Sequence, residues 1–286
     1  MKKTIAVILA LVLCTAMFAA CGSTSSSTAA VASSEASTST TTAALSGKLA
    51  LGGSTSVEKV VQAMMEAFMA ENPDVSITYA PTGSSTGIQG AGDGTLDIGL
   101  SSRGLKDEEK ATLTETMFAL DGIAIIVNTE NGVQGMDLET LAKIAKGEIT
   151  NWKDVGGEDA EIVMIGRDAA SGTRDGFESI VGVKEECVYA EEQASTGAVV
   201  ASVQANKGAI GYVSLSSVSD AVKAITIDGV APSEETVKDG TYKIQRPFVF
   251  ATLTDGASEL AKAFMSWAVS SATTELVANA GAVPVA

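Results

Sequence analysis

Histidine is absent from all 286 residues of the sequence, and its absence excludes a large class of chemistry. Imidazole is the one side chain whose ordinary pKa lets it exchange protons near neutral pH, so Ser-His-Asp and Cys-His catalysis and imidazole-based metal sites are ruled out. Cysteine is scarce as well. The three cysteines at positions 14, 21 and 187 do not have the spacing of a CxxC-type zinc site. We therefore expect no catalytic residues, no metal and no cofactor.

Positive charge and aromatic side chains are also scarce. Lysine and arginine total 19 against 35 acidic residues, which gives a net charge of −16. A nucleic-acid-binding surface needs a basic stripe, so nucleic acid is not expected as a partner. The apolar share of 45% still suffices for a folded core, which excludes global disorder. The length fits one large or two medium domains.

The N-terminus has the pattern of a secretion signal. Lys2 and Lys3 precede an apolar run over Ile5–Phe18, which is shorter than the roughly 20 residues that span a bilayer and fits a signal peptide. Ala20 is followed by Cys21, and this context resembles the lipobox of bacterial lipoproteins. Residues 1–20 are thus expected to be a signal peptide and Cys21 a lipidation site, which would anchor the protein on the outer face of the cell membrane. The alternative is a secreted protein cut after Ala20.

Residues 21–46 have the composition of a flexible tether. From Gly22 to Ser46, 21 of 25 residues are Ser, Thr or Ala. Such a segment cannot bury enough apolar surface to offset the entropy cost of ordering it. It is expected to give reach between the membrane and the folded part.

The remainder of the chain alternates strand and helix patterns, which predicts an α/β fold with a largely parallel sheet. The predicted strands are 48–51, 75–79, 96–100, 122–127, 161–165, 209–213 and 248–253. The predicted helices are 57–71, 138–146, 196–205 and 258–269, with a short helix after the loop 83–87 and a further helix ending at residue 180.

Three predicted strands end in glycine and hydroxyl residues directly before a helix, at 52–56, 83–87 and 171–173. Helix N-termini carry unpaired N–H groups and a partial positive charge, so these loops are candidate anion sites. In an open α/β sheet such loops converge beyond the carboxyl ends of the strands. For each loop alone the alternative is a plain helix cap. Thr55 with Glu58 fits a capping box, and Ser195–Gly197 is interpreted as a cap. Together the three loops, with Arg167 beside the third, point to a small oxyanion.

A series of motifs then identifies a resemblance. They are Gly53–Val57, Gly83–Gly87, Asp97–Arg103, Gly147–Val155, Arg167–Arg174 and Gly208–Ser214. In this order they resemble the phosphate-binding proteins of bacterial ABC phosphate importers, in their Gram-positive lipoprotein form. The resemblance implies a type II periplasmic-binding-protein-like fold, in which two α/β lobes joined by two crossing segments close on the ligand. It places the first lobe at 47–124, the second at 125–247 and the return to the first at 248–286.

The resemblance also implies a ligand set. The residues expected to contact phosphate are Thr55, Ser56, Ser84, Ser102, Arg103, Arg167, Ser171, Gly172 and Thr173. Asp168 is expected to orient the guanidinium of Arg167. The implied partners are inorganic phosphate and the permease of an ABC importer, with the receptor acting as a monomer and not as an enzyme.

One position departs from part of that family. Other branches carry an aspartate where this chain has Ser102, and that carboxylate accepts the proton of hydrogen phosphate and rejects sulfate. A serine hydroxyl can also donate, so it repels sulfate less.

Three other functions stay open at this point. One is a receptor for sulfate, molybdate or a phosphorylated small molecule. Another is a surface adhesion protein, against which the aromatic share of 5% argues. The third is a hydrolase, because Gly83–Gly87 fits the G-x-S-x-G nucleophile elbow, although no histidine is present to act as its base.

Overall fold

The computed structural model describes residues 44–285. The predicted signal peptide, the predicted lipidation site Cys21 and the predicted tether up to residue 43 lie outside these residues. Among the helices of residues 44–285, none has both the length and the apolar character needed to cross a membrane.

Strands and helices alternate through most of the described chain. The strands are β1 (Gly47–Gly53), β2 (Val75–Pro81), β3 (Ile98–Ser101), β4 (Leu113–Val127), β5 (Gly135–Met136), β6 (Val163–Arg167), β7 (Glu191–Gln193), β8 (Ala209–Ser214), β9 (Lys223–Ala224), β10 (Thr226–Ile227), β11 (Gln245–Leu253) and β12 (Val283–Pro284). The helices are α1 (Glu58–Glu71), α2 (Ser84–Gly92), α3 (Asp107–Lys110), α4 (Leu138–Ala145), α5 (Gly172–Val181), α6 (Thr196–Ala205), α7 (Glu234–Lys238), α8 (Glu259–Ala268) and α9 (Thr274–Asn279).

The long strand β4 divides the main sheet into two lobes. The strand order is β2-β1-β3-β11-β4-β8-β6-β7. Up to Gly122, β4 pairs with β11, and from Ile123 onward it pairs with β8. We call the part with β1, β2, β3, β11 and residues 113–122 lobe 1, and the part with residues 123–127, β6, β7 and β8 lobe 2. The chain returns to lobe 1 where β11 begins at Gln245.

The prediction of a largely parallel sheet is wrong for the centre of the molecule. The outer pairs are parallel: β1 with β2 and β3, and β6 with β7 and β8. The central strands β4 and β11 are antiparallel to each other and to their other neighbours. Strand β4 runs from lobe 1 into lobe 2, and β11 begins where the chain returns to lobe 1, so the two strands run in opposite directions. An apolar strand pattern does not reveal this direction.

Each lobe has its own apolar core. In lobe 1, α1 places Val60, Val61, Met64 and Phe68 at helical spacing against the sheet, and all four are buried. The core of lobe 2 is built around Trp152 and neighbouring side chains of β4, β8 and α5. Because most of the apolar packing lies within one lobe or the other, the lobes can move as units.

A buried ion pair joins the two central strands where β4 passes between the lobes. Arg246 donates from Nε and Nη2 to Asp121 Oδ2 at 3.0 and 2.9 Å, and Ser214 Oγ donates to Oδ1 at 2.7 Å. Burial raises the pKa of Asp121 to about 6, although the charge of Arg246 and the bond from Ser214 oppose that rise. The pair therefore fixes β4, β8 and β11 to one another at this point.

Candidate functional site

The carboxyl ends of β1, β2 and β3 in lobe 1 meet the carboxyl ends of β6 and β7 in lobe 2. Helices α1, α2, α5 and α6 begin at this junction. Their N-termini bring partial positive charge and N–H groups to one place. The topology thus creates an anion-attracting region between the lobes.

Two glycines allow the close packing that shapes the lobe 1 side. Gly53 has φ +136°, and a Cβ there would lie 2.1 Å from the carbonyl oxygen of Leu100. A Cβ on Gly87 would lie 2.5 Å from Gly53 Cα. Because both positions lack a side chain, α2 lies directly on β1 and β3, and its first residue, Ser84, is brought beside Ser102.

Hydroxyl groups of lobe 1 form the first half of the site. Ser54 Oγ donates to Ser102 Oγ at 2.8 Å, and the hydroxyls of Ser84 and Ser102 are 3.2 Å apart. The N–H of Ser102 donates to Ser84 Oγ at 3.1 Å. All three side chains are buried.

Further hydroxyls connect the two lobes. Ser56 Oγ lies 2.6 Å from Thr173 Oγ1 and 3.0 Å from Thr196 Oγ1, and Thr55 Oγ1 lies 3.0 Å from Thr196 Oγ1. The N–H of Thr196 also donates to Thr55 Oγ1 at 3.1 Å. We use the name hydroxyl cluster for Ser54, Thr55, Ser56, Ser84, Ser102, Thr173 and Thr196, all of which are buried. Each hydroxyl can rotate to donate to an anion.

Arg167 brings the positive charge to this cluster. It is the last residue of β6 and its side chain is 1% exposed. Its Nε donates to the carbonyl of Gln193 at 3.0 Å, Nη1 to Thr196 Oγ1 at 3.2 Å and Nη2 to the carbonyl of Ala194 at 3.2 Å. Burial lowers the pKa of Arg167 and the nearby charge of Asp168 raises it, but a guanidinium stays protonated in proteins.

Arg167 differs from the other arginines in lacking an ion pair within residues 44–285. The other three arginines of the chain are each paired with a carboxylate: Arg103 with Glu109, Arg174 with Glu178 and Arg246 with Asp121. Burying an uncompensated charge costs several kcal/mol. A buried guanidinium bonded only to neutral oxygens therefore favours an anion as its remaining partner.

Arg103 has a different contact from the expected one. Its Nη1 and Nη2 donate to the two carboxylate oxygens of Glu109 at 2.8 and 2.7 Å, and Nη1 also donates to the carbonyl of Gly104 at 2.9 Å. This bidentate pair holds the guanidinium on the start of α3. The structure therefore does not bring the Arg103 side chain into the hydroxyl cluster, which it joins only through the neighbouring Ser102.

Asp168 also differs from its expected role. No hydrogen bond joins its carboxylate to Arg167 in the described chain, and its Oδ1 is buried without a hydrogen-bond partner there. The carbonyls of Gln193 and Ala194 orient the guanidinium instead. Asp168 acts on Arg167 through its charge.

The other residues of the predicted ligand set in the third loop either cap a helix or lie at the contact between the lobes. Ser171 is the N-cap of α5 and accepts from the N–H groups of Thr173 and Arg174, both at 3.2 Å. Gly172 lies against the lobe 1 serines, since a Cβ there would be 2.4 Å from Ser84 Oγ.

The capping box predicted for Thr55 is wrong, because α1 begins at Glu58 without a side-chain cap. The hydroxyl of Thr55 is free to contact Thr196.

The sequence interpretation missed two members of the cluster, Ser54 and Thr196. Ser195 caps α6 as expected, accepting from Ala198 N–H at 3.2 Å. The next residue, Thr196, points into the cluster. The Ser195–Gly197 loop could have been identified as a fourth site because it shares the Gly and hydroxyl composition of the other three. Nothing in the pattern distinguished Ser54 from its neighbours in the first loop.

Comparisons with known proteins show which sequences and structures this chain is similar to. The sequence model of a protein family, the PBP superfamily domain, matches residues 38–272. The phosphate-binding protein PstS of Bacillus subtilis (strain 168) is 33% identical over 253 residues, which cover 84% of this chain and 81% of that protein.

Two solved structures extend the likeness. A phosphate ABC transporter substrate-binding protein from Clostridium perfringens, solved with bound phosphate, is 41% identical with a TM-score of 0.81, covering 84% of this chain and 100% of that chain. An ABC-type phosphate transport receptor from Vibrio cholerae is 34% identical with a TM-score of 0.69, covering 82% of this chain and 99% of that chain. These matches confirm the predicted two-lobed type II fold.

Proposed function

Because the chain belongs to the PstS family of phosphate-binding proteins, within the PBP superfamily, we propose that Arg167 and the hydroxyl cluster hold inorganic phosphate. The protein is a phosphate-binding receptor of an ABC phosphate transporter. The observation that carries the site assignment is the buried Arg167, which has hydrogen bonds to neutral oxygens and no ion pair within the described residues. The guanidinium and the hydroxyls match the negative charge and the acceptor oxygens of phosphate.

The net charge of −16 does not oppose anion binding at this site. Surface charges more than about 10 Å away are screened by salt, whereas Arg167 and the N-termini of α1, α2, α5 and α6 lie at the junction of the lobes itself. Each charge-assisted hydrogen bond contributes about 1.5–3 kcal/mol. Local donors therefore dominate the interaction.

Binding is coupled to closure of the lobes. The cluster takes Ser54, Ser56 and Ser84 from lobe 1 and Thr173 and Thr196 from lobe 2, so a phosphate held by all of them bridges both lobes. A ligand that contacts both lobes only when they are together shifts the population to the closed form. We propose that the permease of the importer recognises this closed form, that the receptor acts as a monomer, and that no covalent chemistry occurs.

Isothermal titration calorimetry tests the assignment directly. The chain from residue 22, stripped of bound ligand by unfolding and refolding, is titrated with phosphate and separately with sulfate. We expect one phosphate to bind per chain, with weaker or no binding of sulfate. Comparable binding of both anions would indicate a broader oxyanion receptor, in which Ser102 does not distinguish hydrogen phosphate, which carries a proton, from sulfate, which does not. Absence of heat with phosphate would contradict the proposed function.

We further propose that acylated Cys21 anchors the receptor on the outer face of the membrane. The small residues before Cys21 and the Ser/Thr/Ala-rich segment after it support this proposal. In a bacterial host, we expect the full chain in the membrane fraction, labelled by an alkyne analogue of palmitate, and the Cys21→Ser variant unlabelled and outside it. Cys187→Ser is the matched control and should behave as the unmodified chain. Equal membrane recovery and labelling of the Cys21→Ser variant would contradict the anchor.

A further inference from the structure

The backbone of Arg167 is enclosed by a closed ring of hydrogen bonds that lies behind the hydroxyl cluster. We use the name Arg167 ring for Arg167, Arg174, Glu178, Tyr189 and Tyr212. These residues come from β6, α5, β8 and the segment before β7. None of them is part of the hydroxyl cluster, and Arg167 contacts it through the bond from its Nη1 to Thr196 Oγ1.

The ring can be followed bond by bond from the amide of Arg167. This N–H donates to Tyr212 Oη at 3.2 Å, Tyr212 Oη donates to Tyr189 Oη at 3.0 Å, and Tyr189 Oη donates to Glu178 Oε1 at 2.9 Å. Arg174 Nε donates to the same Glu178 oxygen at 2.8 Å, and Arg174 Nη1 donates to the carbonyl of Arg167 at 2.9 Å. Both main-chain groups of Arg167 are thus bonded within one circuit.

The ring is rigidly packed. Tyr212 is 1% exposed and stacks on Phe177 with ring centroids 4.1 Å apart. The Arg174 guanidinium lies 4.9 Å from the centroid of the Tyr189 ring. A Cβ on Gly166 would lie 2.3 Å from that ring, so the tyrosine packs directly on β6 next to Arg167. Burial raises the pKa values of Tyr189 and Tyr212, which keeps both hydroxyls protonated as donors.

We propose that the Arg167 ring is a positioning device that fixes the main chain of Arg167 and thereby aims its guanidinium at the bound anion. Tyr189 is a positioning residue because its hydroxyl connects the β8 half of the ring to the α5 half. This inference rests on the proposed function. An arginine side chain loses considerable rotamer freedom when it is ordered, and holding it in place before the ligand arrives removes part of the cost of binding.

The test uses a substitution that removes one hydroxyl and keeps the aromatic packing. Tyr189→Phe breaks the ring, whereas Tyr242→Phe removes a comparable buried hydroxyl that donates to the carbonyl of Ile123 at 2.8 Å. Tyr242 contacts neither the cluster nor the ring by a hydrogen bond, so its variant is the matched control. Both variants and the unmodified chain are titrated with phosphate, and their melting temperatures are measured without ligand.

We expect Tyr189→Phe to weaken phosphate binding about five- to tenfold, the loss associated with one hydrogen bond. The control, Tyr242→Phe, should bind phosphate within twofold of the unmodified chain even if its melting temperature falls as far as that of Tyr189→Phe. Unchanged affinity in Tyr189→Phe, or an equal loss of affinity in the control, would overturn the ring proposal. Failure of the unmodified chain to bind phosphate would instead overturn the proposed function.

If the unmodified chain does not bind phosphate, the ring proposal can still be tested by NMR of the ligand-free protein. The chain has only four arginines, so NMR of arginine-labelled protein gives four Nε–H signals, and the Arg167 signal is identified by its loss in Arg167→Met. Tyr189→Phe should broaden or shift that signal, because its Nε–H would no longer be held at the carbonyl of Gln193, and Tyr242→Phe should leave it in place. An Arg167 signal unchanged in Tyr189→Phe would show that the ring does not position this side chain.

Discussion

Replacing Arg167 with methionine is expected to weaken phosphate binding by about a thousandfold or more. Arg167 is 1% exposed as a residue and lies at the junction of the lobes, and two charge-assisted hydrogen bonds of about 2 kcal/mol each correspond to about three powers of ten in Kd. Methionine has a similar length and an apolar side chain, so it fills the same space without charge. Calorimetric titration with phosphate measures the loss.

The same variant carries a second expectation of opposite sign. Because Arg167 has no ion pair among residues 44–285 and only the nearby charge of Asp168 offsets its burial, replacing it relieves a desolvation cost, and we expect the ligand-free protein to melt at the same temperature or higher. Lys262→Met is the control, since it deletes one positive charge from an exposed position on α8. A strongly destabilised Arg167→Met that still binds phosphate tightly would assign Arg167 a structural role.

Much of the fold could be predicted from the sequence because most elements bury one clear apolar face. Helix α6 has the predicted bounds Thr196–Ala205, and α1 and α4 differ from prediction by one residue at one end. Strand β4 was predicted only from Gly122, and its first nine residues were missed. That part includes Glu115, whose charged side chain is uncommon in strands, although it lies in the strand that joins the lobes.

The site was predictable at the level of loops and much less at the level of side chains. Glycine and hydroxyl residues before a helix indicate where an anion can bind, but not which hydroxyls cap the helix and which face the ligand. Ser171 caps α5, whereas Thr55 and Ser56 contact the opposite lobe. Arg103 shows the same limit, because its pairing with Glu109 depends on how α3 packs. Pairs of residues that are far apart in the sequence are the hardest to predict. The bonded Asp121 and Arg246, for example, are separated by 125 positions.

Replacing Gly172 with alanine is expected to weaken phosphate binding by about ten- to a hundredfold, because the added methyl group hinders closure of the lobes. A Cβ at this position would lie 2.4 Å from Ser84 Oγ, 2.8 Å from Ser102 Oγ and 2.9 Å from Ser84 Cβ. The neighbouring main chain leaves little room to adjust, because the N–H of Ser85 donates to the carbonyl of Ala170 across the lobes at 3.0 Å. Overpacking of this kind costs about 1–3 kcal/mol, and here the cost falls on the closed form.

The open form should tolerate the same methyl group. Gly172 does not have a left-handed φ, and as the first residue of α5 it can be replaced by alanine without backbone strain, so the variant should fold and melt like the unmodified chain. Gly197→Ala is the matched control at the start of α6, where an added Cβ meets no atom within 4 Å. Titration measures affinity, and small-angle X-ray scattering with and without phosphate measures closure. Since the methyl group removes no donor, a Gly172→Ala variant that binds and compacts like Gly197→Ala would show that phosphate is held without the lobe contact at Ser84. An affinity loss with reduced compaction would establish that closure contributes to binding separately from the charge of Arg167.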